Sequence, residues 1–266
     1  MVIDNLSEIV KEPIEKLTVP LASQIGQTLS DTWELVFGGL STFVEKKRLT
    51  RQKDIEDFKK SLVQNVQSIP PEHLQEPSFS IIGPALEASK FYFEEKDVRE
   101  LFSKLIANSM DNRFNTKIHS SYVEIIKQMT SLDARNISLF LLKEAYPIAS
   151  FRYKLSNTSY RPLFPLVFLS NPKESSIEKQ AISISSLERL GLLTSSFQEH
   201  LESESYDIFP EHDSYKKFTM EFGDKVYYQK GAVLLTPLGK SFIDVCFPPL
   251  SQLIVGESFP RSCLLS

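Results

Sequence analysis

Cysteine and long apolar runs are both scarce in this 266-residue sequence. Its two cysteines, Cys246 and Cys263, have no partners at a metal-ligand spacing, which argues against a disulfide framework and a zinc site. We therefore expect a reducing, cytoplasmic setting. No segment approaches the run of about 18 apolar residues that a spanning helix needs. The opening VIDNLSEIVKEPIEKL is acidic and amphipathic, unlike a basic secretory leader, so neither secretion nor membrane spanning is expected.

Recognisable catalytic motifs are absent as well. The nine glycines are dispersed and form no GxxxxGK[ST] phosphate loop. His73, His200 and His212 occur singly in polar stretches, and Cys246 lies in the apolar segment FIDVCF, where a buried thiol would be inert. We expect no catalytic residue, cofactor or metal, although the fold could still assemble a site that sequence spacing hides. The enzyme question stays open, with a non-enzyme favoured.

An excess of positive charge is also missing. The chain has 30 Lys and Arg against 34 Asp and Glu, a formal net charge of -4. Sequence-independent binding of nucleic acid by the whole surface is therefore not expected, because such binding depends on Lys and Arg that neutralise phosphates. A local basic face remains open.

The N-terminal half has an almost continuous helical pattern. Residues 1 to about 30 form two short amphipathic pieces interrupted at Pro20, and Asp31 is a candidate N-cap for the next helix. An apolar stripe then comprises Trp33, Val36, Phe37, Leu40, Phe43 and Val44. The stripe continues through EKKRLTRQKDIEDFKKSL until Ile69-Pro70-Pro71 ends the helix. We interpret Pro77 and Pro84 as parts of a connector that precedes four further helices.

The long helix has a basic part at Lys46, Lys47, Arg48, Arg51 and Lys53. Acidic residues are interleaved with these cations and partly compensate them. We therefore favour a solvated helix face over a phosphate-binding surface.

The segments IPPEHLQEPSFSIIGPALEASKFYFEEKDVRELFSKLIANSMDN and KIHSSYVEIIKQMT resemble the Abi-alpha family, bacterial proteins linked to abortive phage infection. The resemblance covers roughly residues 20 to 250 and is strongest from Trp33 to Met129. It implies a role in anti-phage defence but supplies no active-site residues. In LIANSM, which is similar to the family's LLANSM, we interpret Asn108 as a hydrogen-bonding residue at a helix interface. His119 precedes a helix and is interpreted as a residue that bonds the turn.

The C-terminal part changes character at about Phe151. IEKQAISISSLERLGLL predicts a helix that ends near Gly191, and both SYDIFPEHDSYKKFTMEFG and KVYYQKGAVLL alternate as strands do. Thr236 and Pro237 are the predicted N-cap and first residue of a last helix. This order resembles a winged-helix domain. Acidic residues in the hairpin region would be repelled by phosphate, so a protein-contact module or packing element is favoured over a DNA reader.

The predicted fold is mainly α, with a helical domain at 1–130 followed by a winged-helix-like α+β domain at 131–266 that includes a C-terminal tail. The favoured function is anti-phage defence by abortive infection, through non-enzymatic binding of a phage or host protein. The candidate interaction residues are Trp33, Phe37, Asn108 and His119. The alternative is a nucleic-acid-binding regulator or effector that uses Lys46, Lys47, Arg48, Arg51, Lys179 and Arg189. A homo-oligomer, and peripheral membrane contact by the N-terminal segment, also remain open.

Overall fold

The computed structural model describes residues 20–37 and 48–248, with side chains described for 26–36 and 53–248. The described residues form two compact units. The first, the helical unit, comprises 20–37, 48–131 and 244–248, and the second, the sheet unit, comprises 132–243. No helix among these residues is long and apolar enough to cross a membrane.

Five helices build the helical unit. They are α1 (Pro20–Phe37), α2 (Arg48–Gln67), α3 (Phe79–Ser89), α4 (Lys96–Asn108) and α5 (Ser121–Lys127), with 3-10 turns at Pro71–His73 and Asn112–Phe114. Helix α4 packs against α2, α3 and α5, while α1 packs against α3. The central position of α4 follows from its sequence, because Leu101, Phe102, Leu105 and Ile106 recur at helical spacing and are all buried.

Two predictions for the helical unit are wrong. Asp31 does not cap a helix, because it lies inside α1, which begins at Pro20. Proline suits this first position, since its missing N–H would have had no partner there. Pro84 lies inside α3 rather than in a connector. The buried neighbours Ile81, Ile82, Ala85 and Leu86 stabilise α3 enough to outweigh the hydrogen bond that proline removes. The predicted continuation of the helix through Leu40, Phe43 and Val44 lies outside the described residues.

The sheet unit combines helices with one antiparallel sheet. Its elements are α6 (Ser131–Ser138), β1 (Ala145–Lys154), β2 (Tyr160–Phe168), α7 (Ile177–Arg189), β3 (Leu193–Ser196), α8 (Ile208–Glu211), α9 (Asp213–Phe222), β4 (Val226–Leu235) and α10 (Pro237–Cys246), with 3-10 turns at Leu139–Leu141, Ser203–Tyr206 and Gly223–Lys225. The last three residues of α10 belong to the helical unit. The strand order is β2-β1-β4-β3. A core cluster beside this sheet contains Ala149, Phe151, Val167, Ile177, Tyr206 and Phe209.

The segment predicted as a strand around 205–223 is helical instead. Tyr215, Phe218 and Phe222 recur every three or four residues along α9 and contact β1. Phe151 lies 5.1 Å from Tyr215 and 6.3 Å from Phe218 between ring centroids. These aromatic contacts favour the helical period over strand alternation.

The end of the sheet unit agrees with the sequence prediction. Strand β4 leads into α10, whose first residue is Pro237. The Thr236 hydroxyl accepts a 2.9 Å hydrogen bond from the Gly239 N–H, as an N-cap should. Helix α7 ends at Arg189, and Gly191 follows with a φ of 75° that favours glycine. The coarse fold class is thus confirmed: a helical N-terminal part precedes an α+β part with a four-stranded sheet.

Candidate functional site

Trp33, the first predicted interaction residue, is only 2% exposed. Its ring stacks on Phe58 at 6.0 Å between centroids, and the Lys59 ammonium lies 4.9 Å from the ring centre. Lys59 is itself buried, and this burial lowers its pKa from 10.5 to about 8, with Glu56 acting in the opposite direction. Trp33 therefore stabilises the core beneath α1. The side chain of Phe37 lies outside the described ones.

Asn108 and His119 both bond within the helical unit. The buried Asn108 amide donates a 2.7 Å hydrogen bond to the carbonyl of Val245. The His119 Nδ1 accepts from the backbone N–H of Ser121 at 3.1 Å and lies 2.7 Å from the Ser121 hydroxyl. Asn108 therefore forms a hydrogen bond between helices, and His119 bonds the turn at a helix start, as was predicted from the sequence for each residue.

A polar seam runs between α2 and α4, formed by Ser61, Asn65, Glu100, Ser103 and Lys104. Ser61 donates to the Glu100 carboxylate, and its oxygen lies 3.0 Å from that of Ser103. The Asn65 amide donates to the Ser103 hydroxyl at 3.0 Å. These bonds join two helices by side chains that would otherwise be costly to bury.

The seam also includes a buried cation. Lys104 Nζ lies 3.5 Å from Asn65 Oδ1, and burial lowers the pKa of Lys104 although Asp111 acts to raise it. Arg99, on the same helix, donates to the Phe93 carbonyl at 3.0 Å and lies 3.4 Å from Asp54. This seam was not predicted from the sequence. The sequence feature that could have predicted it is the polar pair Ser61 and Asn65, four residues apart on the α2 face that packs against α4.

Asp111 is a further buried charge of the helical unit. Its carboxylate accepts from the Arg113 side chain at 2.5 Å and 2.9 Å and from the Arg113 backbone at 3.0 Å. Burial alone would raise the pKa of Asp111, but these hydrogen bonds outweigh it and hold the pKa below its usual value. The pair fixes the turn that follows α4.

The sheet unit contains a second buried polar network. Asn136 of α6 donates to Gln180 at 3.0 Å and to Ser183 at 2.9 Å, both on α7. Asn171 donates to Asn136 at 2.6 Å, and Gln180 donates to the Asn171 and Glu174 carbonyls. All four side chains are buried, so the network ties α6, α7 and the preceding loop together.

The residues of the nucleic-acid alternative are only partly described. Lys46 and Lys47 lie outside the described residues, as do the side chains of Arg48 and Arg51. Lys179 is exposed and 3.7 Å from Glu174, whose pKa is lowered mainly by a hydrogen bond from the Ser176 backbone. Arg189, at the end of α7, also has an interaction partner. Ser183, a polar residue on the same helix α7, is buried and unavailable to a ligand.

The described residues form neither a metal-binding site nor a reactive thiol site. It contains no group of three or more His, Cys, Asp or Glu side chains that could hold a metal ion. Cys246 is fully enclosed, and burial raises the pKa of its thiol well above the usual value. Such a thiol is a poor nucleophile at neutral pH.

This geometry defines a class of protein: a two-unit α+β chain whose buried polar clusters are bonded within each unit. Comparison with protein families then gives a direct result, because the family model described as abortive infection alpha matches residues 50–246. The match spans well over half of the 266 residues, and the chain belongs to this family. The resemblance to the Abi-alpha family is confirmed over these residues. Searches of curated proteins and of solved structures returned no match.

Proposed function

We propose that this protein defends bacteria against phage by abortive infection, and that it does so by binding a phage or host protein. Membership of the abortive infection alpha family is the observation that carries the proposal, since the match extends through most of both units. The buried clusters support binding over catalysis, because their polar groups are engaged in holding helices together.

The helical unit offers apolar side chains for such a partner. Phe91, two residues beyond the end of α3, is 79% exposed, and Phe79 at the start of α3 is 65% exposed. On α1, Leu35 faces solvent while Trp33 faces the core. Exposed phenylalanines suit a protein interface, because aromatic side chains provide large contact areas when water is removed. The same side chains could serve contact between two copies of this chain.

The sheet unit supports a second contact module of winged-helix type. Helix α7, strands β3 and β4, and helix α10 follow one another in the order of a winged helix. Residues 197–225, which would form the wing, fold into α8 and α9 and are strongly acidic at 199–213. This acidic, helical connection favours a protein-contact role over a DNA-reading role.

Phage infection of cells with and without the protein tests the function. We expect fewer plaques, together with early death or growth arrest of infected cells at a high phage-to-cell ratio. Unchanged plaquing and survival across a broad phage panel would contradict the proposal.

Substitution of the exposed phenylalanines tests the binding mechanism. Phe79→Ser with Phe91→Ser should abolish protection at unchanged protein abundance, because both side chains lie on the surface and add little to the core. Leu155→Ser is the matched control, since this exposed apolar residue belongs to the sheet unit. Full protection by the double variant would remove the helical unit's phenylalanines from the mechanism.

A further inference from the structure

The sheet has a charge pattern opposite to that of the whole chain. Residues 145–173, which contain β1 and β2, include Arg152, Lys154, Arg161 and Lys173 but no acidic residue. Residues 225–243, which contain β4, include three lysines and again no acidic residue. The net charge of the chain is -4. Three adjacent strands are thus purely cationic in an acidic protein.

Strand register brings the charges together with aromatic rings at one end of this sheet. Lys154 pairs with Tyr160 across β1 and β2, and Arg152 pairs with Tyr227 across β1 and β4. Paired residues and alternate residues of a strand share a face, so these four side chains lie on one face of the sheet. We call this group, with Arg161 and Lys225 beside it, the cationic sheet end.

Cations and rings are stacked in the cationic sheet end. The Arg152 guanidinium lies 3.9 Å from the centre of the Tyr160 ring. On the opposite face, Arg161 lies 5.7 Å from the Phe222 ring and Lys225 lies 5.8 Å from the Tyr153 ring. These distances are within the range of cation–π attraction, which orders long side chains without neutralising their charge.

The charges are accessible and uncompensated. Lys154, Arg161 and Lys225 are exposed, and the Tyr160 and Tyr227 side chains are 46% and 37% exposed. Among the described residues, no carboxylate lies within 4.0 Å of the cations at positions 152, 154, 161 and 225. Glu221 and Asp224 are near in sequence and form no ion pair with them. A ligand on the face of Tyr160 and Tyr227 would meet the two available charges of Arg152 and Lys154, while Arg161 and Lys225 lie on the other face of the same sheet end.

We infer that the cationic sheet end binds single-stranded nucleic acid. Lysine and arginine neutralise backbone phosphates, while exposed rings and guanidinium planes stack on bases. Bases offer their faces for such stacking only when they are unpaired, so a single strand fits better than a duplex. An acidic peptide would pair with the cations but would provide no base to stack on the aromatic rings. This site differs from the basic residues of α2 and α7, and it does not rest on the proposed function.

Fluorescence anisotropy with the full chain tests this inference. The ligands are labelled oligouridine RNA and oligothymidine DNA of about 20 nucleotides, which is longer than a typical site, and a duplex of matched length. We expect both single strands to bind more tightly than the duplex. We also expect the affinity to fall steeply between about 50 mM and about 200 mM salt, as counterion release requires. A higher affinity for RNA or for DNA will indicate which of the two is the natural ligand.

Charge reversal locates the site. Arg152→Glu with Lys154→Glu reverses the two cations on the face of Tyr160 and Tyr227. It should weaken single-strand binding about tenfold or more and make the salt dependence shallower, because about 0.7 counterions are released per phosphate contact. Lys216→Glu with Lys217→Glu on α9 makes the same change in net charge and should leave binding within about twofold. Tyr160→Ala should weaken binding at least about fivefold if a base stacks there, while Tyr160→Phe should retain it.

Several results would overturn the inference. These are absence of binding at low salt, equal affinity for duplex and single strand, equal weakening by the α9 control, and competition by polyglutamate as strong as by the oligonucleotide. Circular dichroism of each variant verifies folding, and Lys154→Glu alone is a second surface variant should the double variant not fold. Loss of binding with intact phage defence would leave the proposed function standing.

Discussion

At the scale of single residues, buried cations distinguish the helical unit. Lys59 lies against Trp33, while Lys104 and Arg99 are buried on α4. Burial disfavours the charged form of an amine, which explains why the pKa of Lys59 falls to about 8 and that of Lys104 also falls. The apolar stripe that contains Trp33 was visible in the sequence. The inward position of Lys59 was not, because a lysine in the mixed-charge segment IEDFKKSL is typical of a solvated face.

Lys59 should make the stability of the protein depend on pH. Its pKa is lower in the folded state than in the unfolded state, so the unfolded state binds more protons between about pH 8 and about pH 10. The free energy of unfolding should therefore rise with pH in this window, by at most about 3 kcal/mol in total, because the cost of burying the charged Lys59 amine disappears as it loses its proton. Lys59→Met should remove this part of the slope. Urea unfolding of both proteins from about pH 7 to about pH 9.5 measures the difference.

Lys60→Met is the control for this pH effect, because Lys60 is the exposed neighbour of Lys59 on α2. It should leave the slope of the parent protein unchanged. A Lys59→Met variant with the parent's full slope would show that Lys59 is charged equally easily in both states.

At the scale of elements, local signals were the reliable ones. Thr236, Pro237 and Gly191 mark helix ends by their own chemistry, and all three occur where the sequence placed them. Helix α9 was missed because its aromatic residues are also good strand formers, and only contact with Phe151 decides between the two periods. The cationic sheet end was equally hidden, since strand register brings its residues together from distant positions.

The start of α10 depends on close approach of its backbone to Leu192, the residue before β3. A Cβ added at Gly239 would lie 2.1 Å from the Leu192 carbonyl oxygen. Gly239→Ala should therefore destabilise the protein by about 2 kcal/mol or more, because the backbone itself must move. Lys240→Ala, one residue further, removes an exposed ion pair with Glu144 and should cost less than about 1 kcal/mol. Chemical denaturation compares the two, and equal costs would contradict the proposed clash.

The network around Asn136 should behave as one coupled group. Asn136→Leu would leave Gln180, Ser183 and Asn171 each without one buried partner, at a cost of about 2 to 4 kcal/mol. Ser183→Ala alone should cost about 1 kcal/mol. The double variant should cost less than the sum, since the Asn136–Ser183 bond can be lost only once. Strictly additive costs in a double-mutant cycle would show that the two side chains do not interact.

At the scale of the whole molecule, each unit has its own buried core. Phe58, Phe102 and Leu105 are buried in the helical unit, and Phe151 and Phe209 in the sheet unit. The helical character of the first part and the mixed character of the second were readable from residue periodicity. The assignment of residues 244–248 to the helical unit could not be predicted from periodicity, because the Asn108–Val245 hydrogen bond joins positions 137 residues apart.

Because Trp33 is the only tryptophan, its fluorescence reports on the helical unit alone. A core of its own allows each unit to unfold as a separate cooperative step. Asn108→Ala removes a buried hydrogen bond of the helical unit and should lower the denaturation midpoint of Trp33 fluorescence, at a cost of about 1 to 3 kcal/mol. Asn136→Leu should leave that midpoint unchanged and lower the midpoint of the remaining far-ultraviolet circular dichroism signal. If each variant shifted both signals equally, the two cores would unfold as a single cooperative unit. The effects of substitutions in either unit on phage defence would then have to be compared between variants of equal global stability.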